Sequence, residues 1–275
     1  MNVGQLTEWL IDSIEGLLPP GRTVTSDEGN GDAQLLWLSD RPATAKLWTR
    51  MHADHPRSGL WPLLLDPLDP NDGELRPWGF GEVFPQHTSS LAHHDPTRLL
   101  EQWWATYTAV DEDDDMLDAD GRVAVTAPFG QTWPGHAPSR ETAANPDHLA
   151  AAYAQAFLTD RPQARLGVVA AASGAAALTA VGWAGPCNYD NDTAKFSAVV
   201  RDWEHRFGVR VVAVGFSTLH LSVAAPPASE HEALLVAAEH FAFCPDNIWQ
   251  GRKPCTLAAY SKQIPGIHNW VFWWD

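Results

Sequence analysis

The segment DTAKFSAVVRDWEHRFG (192–208) constrains the fold more than any other stretch of the chain. Phe196, Val199, Val200, Trp203 and Phe207 recur at helical spacing, so the helix carries an apolar stripe that must be buried. Asp192 can accept from the first free backbone N–H groups, and Gly208 can take the left-handed conformation that ends a helix. The flanking sequence supplies candidate strands: RLGVVAA and ALTAVGW (177–183) joined across Ser173-Gly174, then VRVVAVG, TLHLSVAA and NWVFWWD. SEHEALLVAAEHFAF (229–243) predicts a second helix before the last of these. From residue 177 the order is strand, helix, strand, strand, helix, strand. That is a ferredoxin-like (βαββαβ) order, with an antiparallel sheet covered by helices on one face. The closing strand is expected to pair with ALTAVGW. Trp270, Phe272 and Trp274 on one side of it, and Val271 and Trp273 on the other, predict cover on both faces.

The first half alternates elements in an α/β manner. AQLLWLS (33–39) and GLWPLLLDP (59–67) predict strands around a helix over 43–53. DPTRLLEQWWATYTAV (95–110) predicts a helix with Asp95 as cap and Pro96 in its first turn. RVAVTAP (122–128) reads as a short strand and PDHLAAAYAQAFL (146–158) as a helix. The stretch between them, PGHAPSRETAANP (134–146), is linker-like. The expected organisation is an acidic α/β region over 1–145 packed on an α+β domain over 146–275. The first twenty residues predict a short amphipathic helix through Leu6, Trp9, Leu10, Ile14 and Leu17, without a secretory pattern. There is no apolar run of about 18 residues. The three cysteines form no CxxC. A cytoplasmic protein is the expectation.

Four motifs in order carry a family resemblance: GWAGPCNY, VVRDWEHRFGVRVVAVGFSTLHLSVAAPP, AAEHFAFCPDNIWQG and WVFWWD. Together they resemble a bacterial family known as domain of unknown function 4253, over about residues 165–275. The resemblance implies a C-terminal unit with those bounds. It implies no activity, cofactor or catalytic residue.

Charge divides at the same place as the elements. Residues 1–145 hold 23 Asp/Glu and 9 Lys/Arg, net −14; residues 146–275 hold 11 and 9, net −2. An acidic surface repels phosphate backbones and argues against nucleic acid, while it would speed docking of a basic protein partner. Fourteen tryptophans, eight before residue 146 and six after, are spread as core side chains would be.

EHFAFCPDNIWQG (239–251) places Glu239, His240, Cys244 and Asp246 within eight positions. His240 and Cys244, four apart on one helix face, could pair as base and nucleophile. Core packing accounts for the same residues: Cys244 continues the stripe of Leu234, Ala237 and Phe241, Pro245 ends the helix, Asp246 can cap the turn NIWQ and Gly251 can close it. A buried Glu239 must then be paired, hydrogen-bonded or neutral. Asn188, Tyr189, His220 and Gln250 are further candidate ligand contacts, each equally at home in a turn or on a polar strand face. His87, His93 and His94 are weak metal candidates, because their spacing matches no ligand motif. DEDDDMLDADG (111–121) fails the calcium-loop pattern. Walker, GxGxxG, HExxH and GxSxG motifs are absent, and no cofactor is called for. The expected function is a non-enzymatic interaction module of immunity or regulatory type. The alternative is an enzyme or a small-ligand or metal-binding protein with a cleft around Glu239, His240, Cys244 and Asp246.

Overall fold

A computed structural model describes residues 18–28, 35–71, 73–109 and 119–275. The helix expected before residue 18 and most of the acidic run 111–121 lie outside these residues.

Seven strands form one mixed sheet: β1 (Gly21–Val24), β2 (Leu36–Pro42), β3 (Leu60–Leu65), β4 (Arg165–Ala170), β5 (Arg210–Val214), β6 (Thr218–Ser222) and β7 (Asn269–Trp273). Their order is β1-β2-β4-β3-β5-β6-β7, with β3 and β5 parallel and every other neighbouring pair antiparallel. Among the described residues the helices are α1 (Ala45–Ser58), α2 (Pro96–Thr108), α3 (Ala119–Thr126), α4 (Pro146–Asp160), α5 (Gly174–Val181), α6 (Thr193–Phe207), α7 (Glu230–Phe243), α8 (Asp246–Trp249) and α9 (Leu257–Ser261).

The centre of the sheet follows from β3, whose six residues LWPLLL are all buried. Leu60 and Leu64 join one core with Trp48 and Met51 of α1 and Ala150, Ala154 and Phe157 of α4. Trp61, Leu63 and Leu65 face the other core, built by α2, α5, α6 and α7. Such a strand is stable only with cover on both faces. Pro62 has no N–H to give, and the ladder with β5 is confined to Leu64↔Ala213 and Leu65↔Val214. The Val211 carbonyl takes the Trp61 indole N–H instead, at 3.2 Å.

Several expectations are corrected by this arrangement. Residues 177–183 belong to α5 and its end, not to a strand. Ser173 caps α5 by accepting from Ala176 N–H, Gly182 closes it at φ 66°, and the alanines between favour helix. Residues 122–126 are likewise helical, in α3; short apolar runs carry no period that separates the two states. With ALTAVGW helical, β7 pairs with β6 instead, through Leu219↔Phe272 and Leu221↔Trp270. The C-terminal half also lacks the ferredoxin-like sheet, since β3 from the first half lies between β4 and β5. Helices cover both sheet faces, not one. Finally, β7 is an edge strand buried on one side: Trp270 and Phe272 are inside, while Val271 and Trp273 are 39% and 38% exposed.

Other expectations hold. Asp95 and Asp192 cap α2 and α6, Gly208 closes α6 in the left-handed conformation, and the helix expected over 229–243 forms as α7. Trp48, Trp78, Trp104, Trp183, Trp203 and Trp274 are among the largest fully buried side chains. Because β4 lies between β2 and β3, both sides of residue 145 contribute to one sheet. The Leu166 N–H donates to Ser39 Oγ, 127 residues away along the chain. The linker-like stretch is pinned to the helices: Arg140 donates from its backbone to the Arg206 carbonyl and pairs with Glu232 at 2.6 Å.

Candidate functional site

The corner where α7 meets α8 holds the sequence's conspicuous residues, and the core uses most of their chemistry. Glu239 is fully buried. Arg206 of α6 donates to both its oxygens, at 3.0 and 2.5 Å, the Trp203 indole donates at 2.7 Å, and the backbone N–H of Ala137 donates at 2.8 Å. Arg206 also donates to the Ala137 carbonyl and to Asp202. This buried carboxylate is therefore an anchor, tying the 134–146 stretch to α6 and α7. His240 is equally buried, ringed by Trp203, Trp270 and Phe272 at centroid distances of 5.3, 4.4 and 4.9 Å. Its Nδ1 shares a hydrogen bond of 2.9 Å with the Tyr260 hydroxyl, and burial pushes its pKa down to about 3, so the ring stays neutral.

The Cys244 thiol lies 3.0 Å from the Trp273 carbonyl and donates to it. Burial pushes that thiol well above the ordinary cysteine range, which keeps it from forming a nucleophilic thiolate. Asp246 does not cap α8; it begins the helix, and its carboxylate accepts from the Tyr189 hydroxyl at 2.7 Å, the Gln250 amide at 3.1 Å and the Asp275 N–H at 3.0 Å. Gln250, rather than Gly251, ends α8. Asn247 presents its side-chain amide to the outer edge of β7, donating to the Val271 carbonyl at 2.7 Å and accepting from Trp273 N–H at 3.1 Å. A groove of about 340 Å³ beside this edge is lined by Asp246 and Gln250, with Tyr260 and Trp273. Of Glu239, His240, Cys244 and Asp246, only Asp246 reaches that groove.

The remaining candidates disperse. Tyr189 sits in the corner through Asp246, and burial followed by that carboxylate raises its hydroxyl pKa; Asn188 beside it is exposed. His220 is not on a solvated strand face: α4 covers it, with the Tyr153 hydroxyl 3.0 Å from Nδ1 and Phe157 at 4.9 Å, and burial lowers its pKa to about 4. His87 stands 3.3 Å from Glu28. His94 meets Ser89 at 2.6 Å and Asp192 at 3.6 Å, and His93 is exposed. No group of three metal-ligating side chains exists among the described residues.

A second cluster was not among the residues singled out from the sequence. Where α1 ends, β5 begins and α5 starts after β4, a cavity of about 380 Å³ is lined by His52, His55, Trp61, Glu204, His205 and Arg210. His52 is 7% exposed, stacked on Trp48 at 4.8 Å, and its Nε2 has no hydrogen-bond partner. Burial lowers its pKa to about 4. Glu204 accepts the Ala175 N–H at 3.0 Å at the start of α5. Burial raises its carboxyl pKa, and the Ala175 N–H and Ser173 hydroxyl only partly pull it back. These residues come from segments about 150 positions apart, so no local spacing announces them; the one sequence trace is His52 and His55 on adjacent turns of an amphipathic helix.

No curated protein and no solved structure matches the chain. No described helix is long and apolar enough to cross a membrane. Residues 165–275, from the first residue of β4 through β7, match the model of one family, the domain of unknown function DUF4253.

Proposed function

We propose that this chain is a cytoplasmic, non-enzymatic interaction protein of regulatory or immunity type, whose acidic N-terminal half docks a basic protein partner. The observation that carries this is the charge division, net −14 against −2. Asp27, Glu28, Asp40, Asp69, Glu101 and Asp120, all from the acidic half, are exposed to solvent. A field of that sign attracts a basic surface and repels nucleic acid. The saturation of Glu239, Cys244 and Asp246 by core partners supports a non-enzymatic role for the α7–α8 corner. Three unpaired cysteines fit a reducing compartment.

The test uses the full chain and one in which residues 111–115 are neutralised to Asn and Gln. Partners are recovered from the source cytosol at low and raised salt, and the association rate of the recovered partner is then measured. The expected result is a basic partner whose association slows several-fold in the neutralised chain and loses its salt dependence, with the melting temperature unchanged. An equal association rate for the two chains overturns the proposal.

A further inference from the structure

The cavity at the α5 end of the sheet gathers several hydrogen-bond acceptors around one guanidinium. His55 Nε2 lies 2.9 Å from the Ala171 carbonyl, and His205 Nδ1 lies 2.7 Å from the Arg201 carbonyl. A carbonyl only accepts, so those ring nitrogens carry the protons; in the neutral imidazole the other nitrogen of each ring is then an acceptor. His52 is neutral, with one nitrogen unpartnered. Glu204 adds a carboxylate that takes part in none of the ion pairs among the described residues. On the donor side stands Arg210, two of whose nitrogens are engaged: Nε pairs with Asp147 at 2.8 Å and Nη1 donates to the Val209 carbonyl at 2.9 Å. Among the lining residues the carboxylates of Glu204 and Asp147 outnumber the one guanidinium, Arg210.

An acceptor-rich cavity with carboxylates in excess and a wall formed by Trp61 selects a ligand that brings donors and a positive charge. We propose that this cavity binds a small protonated amine, with the ammonium on the Glu204 carboxylate, the free imidazole nitrogens of His55 and His205 accepting further N–H groups, and the apolar part against Trp61. The volume, about 380 Å³, lies in the range of small-ligand sites, about 300–1,000 Å³. Glu239 is the internal contrast. That carboxylate already has a guanidinium, an indole N–H and a backbone N–H, whereas Glu204 has one backbone N–H, the Ser173 hydroxyl and an open side. The site is independent of the acidic-surface docking proposed above.

The experiment titrates benzylammonium into the full chain by calorimetry at slightly alkaline pH, with benzoate and benzyl alcohol as anionic and neutral controls. Saturable one-to-one binding of benzylammonium alone is expected, weakened about tenfold or more by Glu204→Gln. Equal binding of benzoate, no binding of benzylammonium, or unchanged affinity in a folded Glu204→Gln chain each overturns the proposal. As a readout that needs no variant, histidine ring nitrogens of the unaltered chain are followed by NMR in the same titration. The resonances of His52 and His55 should move while those of His240, buried at the α7–α8 corner, stay in place. If the His52 and His55 signals do not respond, the proposal fails without recourse to any variant. If a basic peptide binds and benzylammonium does not, the cavity proposal fails and the docking surface stands.

Discussion

Two clusters of titratable side chains, one at the α7–α8 corner and one where α1, α5 and α6 meet the end of the sheet, differ in how completely the protein has answered them. At the α7–α8 corner Glu239, Cys244 and Asp246 are saturated by partners from α6, the C-terminal strand and the 134–146 stretch, while buried His240 keeps Nε2 without a partner. At the α5 end Glu204 is half-buried and His52 buried, and both carry fewer partners than they can hold. The first cluster is dense in sequence and inert in space. The second is dispersed in sequence and chemically unfinished. Density along a chain reports which residues share a helix; an open site is made where distant elements end together.

The comparison predicts a graded set of effects. The largest concerns β7, which supports the saturated corner. Removing residues 270–275 takes Trp270, Phe272 and Trp274 from the core, each worth roughly 2–3 kcal/mol of burial, a total near a domain's net stability. The shortened chain should be insoluble or molten. A cooperative melt with native tryptophan fluorescence would contradict the placement of β7.

Next come the two glutamates. Glu239→Ala leaves the Arg206 guanidinium partly buried with only Asp202 and the Ala137 carbonyl, and should cost about 3–5 kcal/mol in denaturant titration. Glu204→Gln keeps an oxygen for the Ala175 N–H and removes a charge that burial disfavours, so it should change stability by about 1 kcal/mol or less. Equal costs for the two variants would erase the contrast drawn here.

Acid provides a third measurement. His52, His220 and His240 take up protons in the folded chain only near 4, 4 and 3, against an ordinary 6.5 when unfolded. Between about 6.5 and 4 the unfolded state binds more protons, so stability is full above that window and falls as pH drops through it. Each ring contributes a slope of up to about 1.4 kcal/mol per pH unit. Replacing His240 by Phe should flatten the curve of stability against pH; an unaltered slope would mean that the ring titrates normally in the fold.

The smallest effect is at Cys244. Cys244→Ala should cost about 1 kcal/mol, and the native thiol should resist alkylating reagents that modify exposed Cys187. Rapid modification of Cys244 would reopen the nucleophile interpretation of the corner.

Much of the fold was legible wherever a period was long and its ends were marked. The stripe of α6 with Asp192 and Gly208, and the cap of α2 at Asp95, needed only local physics. ALTAVGW is a short, mostly apolar run that satisfies either period, and the helix it belongs to is decided by Ser173 and Gly182 at its ends. That one element displaced the partner of β7 and the expected antiparallel order. The interposition of β4 between β2 and β3 had no trace in the sequence, since pairing across such separations leaves no local pattern. The role of Glu239 was half legible: its burial demanded a partner, but Arg206 and the Ala137 N–H are supplied by tertiary contact. The histidines of the α5-end cavity were invisible for the same reason.

The interleaved sheet also sets the order in which the chain can organise during synthesis. β2 and β3 leave the ribosome early, yet the strand that joins them is β4, and Leu166 finds Ser39 only after 127 intervening positions. Until then the apolar residues of β3 have no neighbour on their β4 side. Sheets with such long loop closures fold slowly and keep aggregation-prone edges open meanwhile. Pulse-labelling hydrogen exchange during refolding should therefore show β2, β3 and β4 gaining protection together, with no earlier phase for β2 and β3 alone. Protection of the first half before β4 would mean that a different, transient pairing guides the nascent chain.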